Sequence, residues 1–333
     1  MVNKKQKCFK FMILLSSIVA VLVGGVYVWQ NCKSDQTDLK RINFIAAIAN
    51  SGYWGRAADG AIQAGKNRNM DVKCLGQTNL DSQELLDNLE ISVNSCVDGI
   101  ITYGLNQSNE FLELLKEANK KEIPVVIIDS DVETEDKLCY IGIDDYGSGW
   151  EAGEEMVREC SEEAQILMVV SDKSVMNQIE RLNGFKDAIQ QYPMMEITDI
   201  IECGSSTLMA QKMISKKLEE CPEINAIFCA EGIGTEACCR VMEKMFGETV
   251  HIIGYDYDYV TQKALKNGYL SACIQQDSRQ MGEMALEVLD CYMKDGILPD
   301  KTIYTDALMV KKDNIEESRR IDSGQTKIEW NYY

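Results

Sequence analysis

The chain has 333 residues, of which 45% are hydrophobic and 26% are charged, so it is long enough for two lobes that each bury a core. Its 34 lysines and arginines face 53 aspartates and glutamates, a formal net charge of −19. Such an acidic chain repels nucleic acid and anionic lipid, which excludes the nucleic-acid-binding classes and leaves neutral or cationic ligands.

The first thirty residues have the pattern of an export segment. Residues 1–10 carry four lysines and no acidic residue, and residues 11–29 are an uninterrupted apolar run, FMILLSSIVAVLVGGVYVW. A helix of this length reaches about 28 Å, close to the hydrocarbon thickness of a bilayer. The lysines favour a cytoplasmic N-terminus. The sequence therefore predicts a cytoplasmic basic segment over 1–10, a transmembrane anchor or signal sequence over 11–29, and a polar linker over 30–40.

The residues after this segment leave its processing open. The stretch VYVWQNC has no A-x-A-like cleavage site, and the bulky or polar residues before Cys32 are unlike a lipobox. An uncleaved single-pass anchor, with the binding domain on the extracellular side of the cell membrane, is therefore favoured over a cleaved or lipidated start.

Beyond the linker, short apolar runs alternate with amphipathic stretches. In chain order, strands are predicted over 42–49, 72–76, 99–104, 124–129, 140–144, 164–170, 197–203, 226–231, 250–256 and 269–276. Several runs are apolar throughout, as strands covered on both faces of a parallel sheet require. Between them, stripes such as Leu86, Leu89 and Val93 have the spacing of helices that bury one face. So many strands are improbable in one sheet, and the sequence predicts an α/β protein with two Rossmann-like lobes built on parallel sheets.

Ligand sites of such sheets lie beyond the carboxyl ends of the strands. The corresponding loops here are rich in Asp, Asn, Tyr and Trp and span 50–54, 105–108, 129–131, 144–149, 231–235 and 256–259. Residues and motifs that are typical of catalytic or cofactor sites are scarce in this sequence. The single histidine, His251, begins an apolar strand, and the Gly232–Gly234 turn lacks the third glycine of a dinucleotide fingerprint. A glycosidase-like carboxylate pair stays a minor alternative, and the sequence predicts a binding protein with no catalytic residue, no metal and no cofactor.

Thirteen cysteines are many for an exported chain. None forms a C-x-x-C pair, and most fall within apolar stretches, where a buried thiol behaves as a small hydrophobic residue. The pattern predicts that most are reduced packing residues, and it leaves room for a disulfide or two.

A series of motifs follows the order of the predicted strands: NFIAAIANSGYWGRAADGA, VDGIITYG, IPVVIID, YIGIDDYGSGWEAG, ERLNGF, INAIFCAEG, HIIGYD and NGYLSACIQQDSRQMGEMALEVL. Over roughly residues 41–315 this series resembles the type I periplasmic (sugar) binding proteins of the ribose-binding branch, the substrate-binding proteins of ABC transporters. The lactose-repressor family shares this core, but it has a DNA-binding headpiece where this chain has an apolar run.

The resemblance implies a three-strand hinge, with three crossings of the chain between two discontinuous lobes. The N-terminal lobe is then expected over 41–129 and 277–304, and the C-terminal lobe over 130–276 and 305–315, followed by a tail over 316–333. The crossings are expected near Asp129–Asp131, Gln275–Asp277 and Tyr304–Asp306.

The resemblance also implies a set of ligand-binding residues: Tyr53, Trp54, Asn106, Arg181, Glu231, Asp256 and Gln276. Tyr53 and Trp54 would stack on the apolar faces of a sugar ring, while the polar members would bond its hydroxyls. The competing interpretations are packed loop aromatics for the pair and a structural ion pair for Arg181.

Two departures make the expected pocket more negative than that of ribose binders. Ile179 stands where they carry a second arginine, and Glu231 followed by Gly232 stands where they have Asn and Asp. The departures argue against ribose itself, and they allow an amino sugar, another cationic metabolite or a neutral sugar with a rearranged hydroxyl pattern. Because a buried charge without a partner is costly, Glu231 is expected to be paired, protonated or facing water.

The sequence thus predicts an extracytoplasmic solute-binding protein that captures a sugar, amino sugar or polyol in an interlobe cleft for ABC-type uptake. The alternative is a membrane-tethered sensory binding protein that signals ligand occupancy to a receptor or histidine kinase. The expected partners are an ABC transporter permease or a sensor kinase, together with the membrane through residues 11–29.

Overall fold

A computed structural model describes residues 39–49, 51–77, 81–106, 108–245, 250–318, 328 and 330–331. Arg41–Tyr333 form one compact unit. The predicted basic segment, the predicted anchor and most of the linker lie outside the described residues. Among the helices that are described, none is long and apolar enough to cross a membrane.

The described residues form strands and helices in alternation. The strands are β1 (Lys40–Ala46), β2 (Met70–Gly76), β3 (Gly99–Thr102), β4 (Val125–Ile128), β5 (Cys139–Gly142), β6 (Ala164–Val170), β7 (Met195–Glu202), β8 (Ala226–Cys229), β9 (His251–Tyr255), β10 (Ala272–Gln276), β11 (Thr302–Tyr304), β12 (Ala307–Val310) and β13 (Trp330–Asn331). The helices are α1 (Gly52–Lys66), α2 (Ser82–Asn94), α3 (Asn109–Lys120), α4 (Asp145–Glu159), α5 (Met176–Ile189), α6 (Thr207–Glu220), α7 (Gly232–Met242), α8 (Tyr259–Asn267), α9 (Ser278–Asp295) and α10 (Ile315–Ser318).

Two sheets organise these elements. The first has the order β11-β5-β4-β3-β1-β2-β13, and the second has the order β12-β10-β9-β8-β6-β7. Parallel pairing joins β1, β3, β4, β5 and β11 in the first sheet and β7, β6, β8, β9 and β10 in the second. Strand β12 pairs with β10 in antiparallel orientation. This confirms the predicted α/β class with two parallel-sheet lobes.

The central strands are apolar because helices cover both of their faces. Every residue of β3, β4 and β8 is buried, as a parallel sheet sandwiched between helix layers requires. In the second lobe Phe185 of α5 stacks on Phe228 of β8 with ring centroids 4.2 Å apart. All eleven described cysteines are free thiols and seven of them are buried, in keeping with their predicted role as packing residues.

Short polar side chains start most of the helices. N-cap hydrogen bonds to backbone N–H groups come from Ser51, Asp81, Ser108, Asp144, Ser206, Asp258 and Asp277. Such caps satisfy amide groups that the first helical turn leaves without partners. Part of the polar character of the strand–helix loops therefore serves helix initiation rather than ligand contact.

The first expected crossing between lobes, near Asp129–Asp131, is wrong by one strand. Strand β5 pairs with β4 and β11 in the first sheet, and the backbone N–H of Asp129 donates to the carbonyl of Ile141 at 3.1 Å. The chain therefore enters the second lobe only between Gly142 and Asp145. The cause is the buried apolar run of β5, whose hydrogen bonds and side chains fit beside β4 in the first sheet.

The chain crosses between the lobes again after β10 and between β11 and β12. The crossings are bonded to one another: the N–H of Thr305 donates to the carbonyl of Gly142 at 2.7 Å, and the N–H of Asp277 donates to that of Asp306 at 3.4 Å. Within the expected C-terminal tail, Trp330 and Asn331 add an edge strand to β2.

Candidate functional site

A cavity of about 730 Å³ lies between the two lobes, at the carboxyl ends of their parallel strands. Open α/β sheets bind ligands in this position. The loops after β1, β3 and β4 form one wall, and those after β6, β8, β9 and β10 form the other. All seven residues predicted to bind ligand line it: Tyr53, Trp54, Asn106, Arg181, Glu231, Asp256 and Gln276. The structure brings them together, while their contact with a ligand stays a prediction.

Arg181 is buried, with 2% of its surface exposed, and each nitrogen of its guanidinium group donates a hydrogen bond. Its Nε donates to Asp145 at 2.8 Å, its Nη1 to the Ala230 carbonyl at 3.0 Å, and its Nη2 to Oε1 of Gln276 at 3.0 Å. The guanidinium also lies over the ring of Tyr255, 4.0 Å from the centroid. The ion pair that competed as an interpretation is therefore present, and the same side chain orients Gln276.

Close packing of α4 on α5 places Asp145 beside Arg181. At Gly149 of α4, a Cβ atom would lie 2.2 Å from the carbonyl oxygen of Arg181, so only glycine permits this approach. The close approach of the two helix backbones therefore sets the position of the Asp145–Arg181 ion pair.

Gln276 and Asp256 form the next link of this network. The Nε2 of Gln276 donates to Oδ1 of Asp256 at 2.9 Å. Asp256 has a φ of 66°, a left-handed conformation that non-glycine residues adopt at a cost and that clusters at binding sites. A Cβ atom at Gly232 would lie 2.6 Å from Oδ2 of Asp256. The absence of a side chain at Gly232 therefore leaves space for the Asp256 carboxylate.

Glu231 caps the N-terminus of α7. Its Oε2 accepts from the N–H of Ile233 at 2.6 Å, and its Oε1 accepts from the N–H of Gly234 at 2.7 Å. Unpaired N–H groups and the helix dipole both favour a carboxylate at this position. The pairing expected for this buried acid is thus supplied by a helix rather than by a cation.

The two aromatic residues differ in environment. Trp54 is 6% exposed, and its ring contacts those of Phe44 and Tyr103 with centroids 6.4 Å and 5.6 Å away. The hydroxyl of Tyr53 donates to Oδ1 of Asp129 at 2.6 Å. Most of the Trp54 side chain therefore packs in the core, whereas the Tyr53 hydroxyl belongs to the hydrogen-bond network of the cavity.

Polar contacts cross the cavity from lobe to lobe. Asn106 donates through Nδ2 to the carbonyl of Ser174 at 3.3 Å. The Nδ2 of Asn177 lies 3.4 Å from both the carbonyl oxygen and Oδ2 of Asp129. Because these pairs join loops of opposite lobes, the cleft is closed in this structure.

The seven predicted residues leave out three polar residues of this site: Asp129 and Ser130, which lie in the predicted loop 129–131, and Asn177. The hydroxyl of Ser130 and the Oδ1 of Asn177 have no hydrogen-bond partner among the described residues, although the two side chains are only 2% and 6% exposed. Buried polar atoms nearly always have a partner. These two atoms are therefore positioned to bond a molecule in the cavity.

A sequence signal existed for Asp129. It ends β4 in PVVIID as Asp256 ends β9 in HIIGYD, and the two residues have nearly the same backbone conformation, with φ of 67° and 66°. The two lobes therefore present equivalent carboxylates to the cavity, one from each sheet.

Burial changes the acidity of these carboxyl groups. It raises the pKa of Asp129 to about 7 and that of Glu231 to about 7, against the opposing effects of Arg181 and of the N-cap hydrogen bonds respectively. Burial also raises the pKa of Asp256, and Arg181 again opposes the shift. Near neutral pH, the carboxyl groups of Asp129 and Glu231 are therefore close to the balance between their neutral and charged forms.

A second cavity, of about 690 Å³, lies in the second lobe at the amino ends of β9 and β10. It contains His251, whose Nδ1 lies 3.5 Å from Glu159. None of the predicted site residues lines it, and sheets of this kind bind ligands at the opposite ends of their strands. The interlobe cavity is the better candidate.

Comparison with known proteins agrees with this architecture. Residues 42–296 match the periplasmic binding protein domain. The ribose import binding protein of Salmonella typhimurium is 21% identical over 276 residues, which are 83% of this chain and 92% of that protein. GanP, a glucose-galactose binding protein from Geobacillus stearothermophilus, is 26% identical with a TM-score of 0.79, over 83% of this chain and 98% of that chain.

A structure of a XylFII-LytSN complex contains a further similar chain. It is 29% identical with a TM-score of 0.76, over 83% of this chain and 99% of that chain. The domain match covers more than half of the sequence, and the two parallel-sheet lobes enclose a cleft. The chain therefore belongs to the periplasmic binding protein domain family.

Proposed function

We propose that this chain is an extracytoplasmic solute-binding protein that captures a sugar or sugar derivative and delivers it to an ABC transporter permease. The observation that carries the proposal is the interlobe cavity, which both lobes line with oriented hydrogen-bonding groups. Fixed donors and acceptors of this kind match the hydroxyl groups of a sugar, and an aromatic edge matches its C–H faces. The relatives named for ribose import and for glucose-galactose binding support the same ligand class.

The proposed mechanism is an equilibrium between open and closed forms. A ligand that contacts both lobes binds the closed form better and so shifts the population towards it. The proposed contacts are the seven predicted residues together with Asp129, Ser130 and Asn177. Arg181 and Gln276 form a rigid part of the proposed site, because hydrogen bonds to Asp145 and to each other fix their orientation.

Thermal unfolding of the full-length chain in mild detergent tests the proposal. The panel comprises pentoses, hexoses, amino sugars and polyols. A ligand at about 1,000 times its Kd adds roughly 4 kcal/mol to the free energy of unfolding and raises the Tm by several degrees. Asp256→Ala should remove the shift while the protein stays folded, and the exposed Asp71→Ala should retain it. A normal shift in Asp256→Ala would contradict the site.

A second candidate function is sensing. The 29% identical chain in the XylFII-LytSN complex favours it, since that structure is a complex of XylFII with LytSN. A sensory protein would present ligand occupancy to a membrane receptor or histidine kinase. Deletion of the gene distinguishes the two functions: loss of uptake of the labelled sugar indicates transport, and loss of the transcriptional response with uptake intact indicates sensing.

The apolar run over residues 11–29 is proposed to hold the binding domain at the outer side of the cell membrane. Protease added to intact protoplasts should then remove the binding domain, while a membrane-retained N-terminal fragment survives. A chain released into the medium without that run would show instead that the run is a cleaved signal.

A further inference from the structure

Acidic side chains outnumber basic ones around the interlobe cavity. The lining acids are Asp129, Asp172, Glu231, Glu236, Asp256 and Asp258, and the lining bases are Arg56 and Arg181. The charge of Arg181 is matched by Asp145, 2.8 Å away, and the charge of Glu236 is matched by Arg240, 2.6 Å away, so neither contributes to the excess. The cavity therefore has a negative field, which disfavours phosphorylated sugars and sugar acids.

The N-terminus of α7 does not offset this field. A free helix N-terminus attracts an anionic ligand group, but here Glu231 already accepts from its first N–H groups. The carboxylate of Asp256 lies against the same turn, close to Gly232. The protein thus uses its own carboxylates where a ligand anion would otherwise sit.

The unpartnered buried atoms indicate which kind of ligand group would complete the hydrogen bonding in the cavity. Asn177 directs its Nδ2 at Asp129, so its free Oδ1 needs a donor. The carboxylates of Asp129 and Asp256 accept from Tyr53, Asn177 and Gln276, and each has further lone pairs that can accept from a ligand donor. An ammonium group brings three donors and no acceptor, whereas each hydroxyl also brings lone pairs that require donors in return.

We infer that the cavity selects a sugar-sized ligand that carries a protonated amino group, held between Asp129 of the first lobe and Asn177 of the second. The inference rests on the proposed sugar-binding function and names the class of sugar. Charge-assisted hydrogen bonds from the ammonium would join the lobes at the point where they already approach. The Asp256 and Glu231 carboxylates supply the surrounding negative potential.

The test compares matched sugars by isothermal titration of the full-length chain in detergent. Each set contains an amino sugar, its hydroxyl parent and its uncharged N-acetyl form, built on glucose, galactose and mannose. In at least one set the amine should bind at least about tenfold more tightly than both neutral members. Neutral members that bind as tightly or more tightly would overturn the inference and leave the proposed function intact. Absence of binding by every sugar would overturn both.

Two variants locate the preference. Asp129→Asn should retain the hydroxyl parent and lose the preference for the amine, and Asn177→Ala should reduce that preference. Glu236→Gln is the matched control, because this acid also borders the cavity but pairs with Arg240 at 2.6 Å. A tenfold preference that survives in Asp129→Asn, or one that disappears equally in Glu236→Gln, would show that Asp129 does not hold the amine.

Discussion

At the residue scale, Asp129 holds a carboxyl group where burial makes its ionisation costly. Its pKa is raised from 3.8 to about 7, so the folded state binds the proton more tightly than the unfolded state does. The free energy of unfolding should therefore fall as the pH rises from about 4 to about 7, and the loss is complete above that range. Asp129 thus lowers the stability of the empty protein at neutral pH.

Asp129→Asn removes this contribution. At pH 8 the variant should exceed the wild type by on the order of 2–4 kcal/mol in the free energy of unfolding. At pH 4 the two proteins should unfold together, because both then carry a neutral side chain. Chemical unfolding at the two pH values measures the difference, and an equal gain at both would refute the assignment of the pKa shift.

The two neighbouring aromatic residues should respond differently to substitution. Trp54→Ala should cost about 3–5 kcal/mol in unfolding free energy because most of the indole packs in the core. Tyr53→Phe keeps the ring and loses only the hydrogen bond to Asp129, a cost of about 1–2 kcal/mol. Urea unfolding of the two variants gives both values. Equal losses would mean that the rings have the same role.

At the element scale, the N-terminus of α7 depends on a glycine. Gly232→Ala should weaken ligand binding at least about fivefold, because the new methyl group would displace the Asp256 carboxylate. Gly55→Ala is the control: no atom lies within 4 Å of a Cβ at that position, and it should leave binding unchanged. Titration with whichever sugar stabilises the wild type provides the measurement. Unaltered affinity in Gly232→Ala would remove Asp256 from the proposed ligand contacts.

The elements show which parts of the fold the sequence could reveal. Strands β1 to β10 were predictable because each contains an apolar run, and all of them except β4 are followed by a helix. Strands β11 and β12 were not, since TIY and ALMV are short and Val310 is the one buried residue in them, and they form strands where the two sheets offer edges. The lobe of β5 was misassigned because chain order does not specify which sheet offers the next strand its partner.

The site residues also differ in whether the sequence could reveal them. Residues at strand ends, such as Asp256 and Gln276, could be placed from local patterns. Asn177 could not, because its significance comes from Asp129, which is 48 residues away in sequence and in the other lobe. The capping role of Glu231 was also missed, since Ser, Thr, Asp and Asn are the usual caps and a glutamate gives little signal.

At the scale of the whole molecule, closure depends on contacts across the cavity mouth. Asn106→Ala removes the bond to Ser174 and should destabilise the closed form by about 0.5–1.5 kcal/mol. The unliganded variant should have a larger radius of gyration by small-angle X-ray scattering, and its ligand affinity should fall by roughly two- to tenfold. Gln83→Ala, which alters an exposed pair within α2, should change neither. Wild-type scattering from Asn106→Ala would show that this contact does not govern closure.

The bonding among the three crossings has a consequence for any protein that recognises this one. Because Thr305 is tied to Gly142 and Asp306 to Asp277, the lobes resist sliding and twisting relative to each other, and rotation about the line of crossings is the motion that remains. Under the proposed hinge mechanism, ligand occupancy would therefore change one distance, the one across the rim opposite that line. A permease or receptor that touches both rims would measure this distance, and it would need no contact with the sugar itself.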